Sequence, residues 1–105
     1  MTDFEAVLID VWRQVLIEDK STVTIERRNY PVRRTTRPKL RQVDFAFDGE
    51  KLRGLEQNPN TGSRWGQLAR EGKKVMQFLS EGRYIANIVD GELRMYGRKA
   101  TGRRN

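Results

Sequence analysis

Three dipeptides constrain the fold of this chain more than any other feature: Asp48-Gly49, Glu81-Gly82 and Asp90-Gly91. Each separates two short apolar runs. A two-residue hairpin turn of type I′ needs positive φ at both central positions, which Asp and Gly accept. Strands joined this tightly pair antiparallel, because a parallel pair needs a crossover of a dozen residues or more. The pattern predicts strands over residues 40–47, 51–57, 75–79, 84–89 and 92–96. In the first of these Val43, Phe45 and Phe47 alternate, as a strand with one buried face requires. Leu52 and Leu55 break the alternation in the second, and Gly54 between them predicts a bulge or a close backbone approach.

Upstream, residues 21–27 read as a strand with Val23 and Ile25 on one face. Arg28-Asn29 is the expected turn, since Asn tolerates positive φ. Tyr30, Val32 and Arg34 then share one face of a returning strand. Pro31 has no N–H to give a ladder, which predicts that this strand lies at an edge or ends early. Residues 35–39, with Pro38, read as a loop.

Two helices complete the pattern. Over residues 3–19, Phe4, Val7, Leu8, Val11, Trp12, Val15 and Leu16 recur at spacings of three and four and form one apolar stripe. Thr2 and Glu5 match a capping box, and Asp3 and Glu5 place negative charge in the first turn, where the helix dipole favours it. The stripe is expected to pack on the sheet; a homodimer through this first helix is the alternative use. Ser63 caps a short second helix that ends before Gly72, with Trp65, Leu68 and Ala69 as its inner side. The expected fold is α+β: an N-terminal amphipathic helix on a bent, mainly antiparallel sheet or half-open small β-barrel of about six to seven strands, with a short second helix. Residues 1–96 form one domain in this reading, and residues 97–105 a flexible basic tail.

Composition narrows the chemistry. The chain has neither cysteine nor histidine. That removes disulfides, the usual zinc, copper and haem ligands, and both Ser-His and Cys-His nucleophile pairs. No metal, no cofactor and no enzymatic activity are expected. Glu26 and Glu56 are the carboxylates weighed as an acid–base pair, and nothing in their spacing draws them together. No apolar run approaches the roughly 18–20 residues that span a bilayer, so no membrane insertion is expected. The expected location is the cytoplasm.

Charge supplies the positive signal. The chain carries a net +7, and residues 27–41 hold seven cations without a carboxylate. Arginine outnumbers lysine there, and its planar fork matches phosphate oxygens two at a time. The expected nucleic-acid contacts are Arg27, Arg28, Arg33, Arg34, Arg37, Lys39 and Arg41, with Tyr30 as a base-stacking ring. Lys73 and Lys74 form a second cluster, and Arg98, Lys99, Arg103 and Arg104 a third. Asn60 to Arg64 resembles an anion-binding helix start in outline, yet it lacks the Gly-Lys-Ser/Thr ending of a P-loop and reads as a plain cap. The expected function is a non-catalytic module that contacts RNA or DNA through its phosphates. The alternatives are an accessory subunit that docks an acidic protein through the same face, or cations that guard a sheet edge against aggregation.

Overall fold

A computed structural model of the chain describes residues 2–96. Helix α1 covers Asp3–Trp12 and continues as one π-helical stretch over Arg13–Ile17. The capping box forms as the sequence requires: the Thr2 hydroxyl accepts from the Glu5 N–H at 3.1 Å, and the Glu5 carboxylate accepts from the Thr2 N–H at 3.0 Å. The wider π turn lets three consecutive residues, Gln14, Val15 and Leu16, all face inward.

Seven strands follow: β1 (Thr22–Ile25), β2 (Arg28–Arg34), β3 (Arg41–Phe47), β4 (Glu50–Glu56), β5 (Val75–Ser80), β6 (Arg83–Val89) and β7 (Glu92–Met95). Helix α2 (Arg64–Arg70) lies between β4 and β5, capped by the Ser63 hydroxyl on the Gly66 N–H. Every strand pairs antiparallel with its neighbours in the chain, in the order β1 to β7. The sheet is open, with β1 and β7 at its edges.

Strand alternation sorts the two faces. The inner face carries Val23, Val43, Phe45, Leu52, Phe78, Ala86 and Ile88, all buried with Leu8, Val11, Trp12, Val15 and Leu16 of α1 in one core. The α1 stripe is therefore spent inside the molecule. Ile17 is the large apolar residue of this helix left exposed, at 52%, and the packing gives a helix-mediated homodimer no support. The Trp12 indole N–H donates to the Lys74 carbonyl at 3.0 Å and pins the helix to the start of β5. On the outer face α2 covers part of β5 and β6. Asn87 is fully buried there, and with its amide oxygen turned to Trp65 it accepts the indole N–H at 3.1 Å.

One local expectation changes, and two resolve to one of their alternatives. The first turn is Glu26-Arg27, not Arg28-Asn29: Ile25 pairs with Arg28, and Glu26 and Arg27 take φ of 49° and 71°. The strand containing Pro31 is interior in the sheet order, and its pairing with β3 ends early, at Val32. β2 pairs with β1 over its first half and with β3 over its second, and the β2–β3 ladder ends at Val32 opposite Val43. The Val32 N–H points to β1, where it meets Ser21 O at 2.9 Å, so the missing Pro31 donor faces β3, just past the last pair. Gly54 marks a close approach rather than a bulge: an added Cβ would stand 3.0 Å from the Phe78 ring and 3.1 Å from Met76 Sδ. The irregularity lies in β5, between Phe78 and Leu79.

Candidate nucleic-acid interface

Sheet topology divides the basic stretch in two. The β1–β2, β3–β4 and β5–β6 turns share one end of the sheet; the β2–β3 loop and the approach to β5 share the other. Arg27 in the turn and Arg28 at the start of β2 belong to the first end, both exposed. Arg34, Arg37 and Lys39 belong to the second, also exposed. At about 3.3 Å per residue the two groups stand roughly 20 Å apart along β2. Arg33 lies between them on the outer face, exposed and opposite Gln42 of β3. The β2–β3 loop is held by its own polar contacts: the Thr35 hydroxyl donates to the Pro38 carbonyl and accepts from the Leu40 N–H.

Ion pairing separates free cations from structural ones. Arg27, Arg28, Arg33, Arg37 and Lys39 have no ion pair among the described residues. Arg34 stands 3.9 Å from Asp19, a loose exposed contact. Arg41 is different in kind. Its strand parity places it on the inner face beside Val43, where it bonds Glu56 through both Nε and Nη2 at 3.1 Å. Its Nη1 donates to Val15 O at 3.0 Å and to Asp19 at 2.8 Å. Arg41 ties the end of α1 to β3 and β4, and its guanidinium has no fork left for a phosphate. Burial alone would raise the Glu56 carboxyl, but hydrogen bonds and charge from Arg41, with a further contribution from Arg34, outweigh it and hold Glu56 below the ordinary glutamate value. The same bonds to Glu56 raise Arg41 further above its ordinary value.

Tyr30 is half-buried. Its ring meets Phe45 edge-on at 6.4 Å, and its hydroxyl donates to Ala46 O at a long 3.4 Å. Lys73 and Lys74 open onto the second end of the sheet. Lys73 lies 3.9 Å from Asp90, and the Lys74 N–H is held by the Asp90 carboxylate at 2.7 Å. The cations at 98–104 lie outside the described residues. Lys51 and Arg53, outside the basic stretch of the sequence, alternate with Leu52 and so project outward from β4. Arg53 pairs with Asp44 at 2.7 Å; Lys51 is free among the described residues.

No helix among the described residues is long and apolar enough to cross a membrane, and no group of three or more His, Cys, Asp or Glu side chains among them could hold a metal ion. No protein-family model, curated protein or solved structure matches the chain.

Proposed function

We propose that this domain is a non-catalytic module that binds nucleic acid through its phosphates, with Arg27, Arg28, Arg33, Arg37 and Lys39 as the principal contacts and Arg34, Lys73 and Lys74 in support. One observation carries the reading. Five exposed cations along β2 and its following loop have no carboxylate partner among the described residues; Lys51, Arg64, Arg83 and Arg94 are exposed and unpaired there too, but stand singly on other elements rather than in one run. Unpaired guanidinium groups in a carboxylate-free run form a field that attracts a polyanion. Arg41 drops out of the contact set.

Fluorescence anisotropy of labelled RNA and DNA, from about 50 to 300 mM salt, tests the proposal. Neutralising about five phosphates predicts a slope of log K against log salt near −3.5 for single strands and −4.5 for duplexes. A slope near zero, or no binding at the lowest salt, overturns it and leaves an acidic protein as the partner to seek by pull-down.

A further inference from the structure

The end of the sheet that carries Arg27 has two features that charge alone does not explain. The first is an internal comparison among turns. Among the described residues four two-residue turns take positive φ at both positions: Glu26-Arg27 (49° and 71°), Asp48-Gly49 (54° and 78°), Glu81-Gly82 (52° and 79°) and Asp90-Gly91 (49° and 87°). Three place glycine second, where the left-handed conformation is free of Cβ strain. The β1–β2 turn places arginine there, at a cost in stability. Among the described residues Arg27 makes no side-chain hydrogen bond or ion pair that would offset that cost.

The second feature is a cleft at the same end. Pro31 ends the β2–β3 ladder, and beside the half of β2 that pairs only with β1 lies a cleft of about 510 Å³. Tyr30, Ala46, Lys51, Leu79, Glu81 and the Asp44–Arg53 ion pair line it. Its size falls in the range of small-ligand sites, roughly 300–1,000 Å³. It combines an aromatic ring and an aliphatic side chain with a free ammonium donor at Lys51 and a carboxylate acceptor at Glu81. A nucleobase needs this mixture: flat apolar contact for its faces, and donors and acceptors for its edge. A base inside a duplex is stacked and paired and cannot enter. Ala46, small and outward-facing, leaves the space open.

We infer that the β1–β2 tip and the adjoining cleft take one unpaired nucleotide of a single-stranded nucleic acid, with the base against Tyr30 and Leu79 and the flanking phosphates on Arg27 and Arg28. This rests on the phosphate-contact reading and adds strand type and a base site to it.

Two substitutions test the inference, each checked by thermal melting. Arg27→Gly relieves the turn and removes the cation. It should raise Tm by about 4 °C or more while weakening single-strand binding about fivefold. Ala46→Phe fills the cleft from the solvent side. It should erase the preference for single strands over duplexes of equal length, expected at tenfold or more at about 150 mM salt, and leave duplex binding unchanged. RNA and DNA strands run in parallel name the sugar. Equal affinity of the wild type for single strands and duplexes overturns the inference, as does an Arg27→Gly domain that melts higher and binds as before. If either occurs while a steep salt slope persists, the phosphate-contact reading stands and the base site falls. Absence of all binding at about 50 mM salt removes both.

Discussion

Arg41 and Glu56 face each other across β3 and β4 with side chains 14% and 27% exposed. Removing one partner leaves a charge with little access to water. Arg41→Met is expected to cost about 2 kcal/mol, below the 3–5 kcal/mol of a fully buried pair because Glu56 keeps some exposure; urea unfolding at pH 7 measures it. The pair also sets an acid limit. The Glu56 carboxyl is depressed in the folded domain, mainly because the Arg41 hydrogen bonds and charge overcome burial. A depressed carboxyl contributes stability that is fully present above its ordinary value near 4.5 and is lost as pH falls through the lower folded value. Unfolding midpoints at pH 7, 5 and 3 should therefore fall below pH 4.5 in the wild type, and less steeply in Glu56→Gln. Parallel curves for the two proteins would assign the acid sensitivity elsewhere. Gly54 offers a steric test. A Cβ at 3.0 Å from Phe78 forces a packed ring to move, so Gly54→Ala should destabilise by about 1–3 kcal/mol despite its gain in backbone stiffness.

At the scale of elements, the open sheet has to protect its ends. β1 is an edge strand, and the Thr24 N–H and C=O point away from β2 because Val23 and Ile25 make the paired bonds of the hairpin. The buried Gln14 amide takes both: its Nε2 donates to Thr24 O and its Oε1 accepts from the Thr24 N–H, each at 3.0 Å. The side chain thus stands where a further strand would pair. Gln14→Ala should cost about 1–3 kcal/mol and open the edge, so a concentration-dependent dimer or larger species in sedimentation is expected. A variant that is destabilised yet stays monomeric at high concentration would make Gln14 a core contact only. None of this was visible in the sequence, where Gln14 reads as a polar interruption of the apolar stripe. The Asp-Gly and Glu-Gly turns were visible, because a glycine at positive φ is a local signal. Glu26-Arg27 was not, since neither residue favours that conformation and Asn29 nearby attracts the assignment. The role of Arg41 could have been read from parity: it alternates with Val43, Phe45 and Phe47 and so belongs to the core face. Its partner Glu56 lies 15 residues on, and only the β3–β4 register joins them.

For the whole molecule the question is whether binding follows net charge or the free cations. The domain carries +7, and a general basic field would attract phosphate wherever the charge sits. The structure divides the cations into two kinds that this alternative treats alike. Arg33, Arg37 and Lys39 are exposed and unpaired among the described residues, whereas Arg13 bonds Asp10 and Glu18, Lys20 meets Glu18 at 3.3 Å, and Arg70 donates to the Pro59 and Thr61 carbonyls. Two triple variants to alanine remove the same three charges from these two sets. Loss of Arg33, Arg37 and Lys39 should reduce the magnitude of the salt slope by about 2–3, one phosphate contact for each cation. Loss of Arg13, Lys20 and Arg70 should change it by less than about 1, because those groups already spend their donors within the domain. Equal changes would make the attraction a property of net charge, with no defined interface on β2.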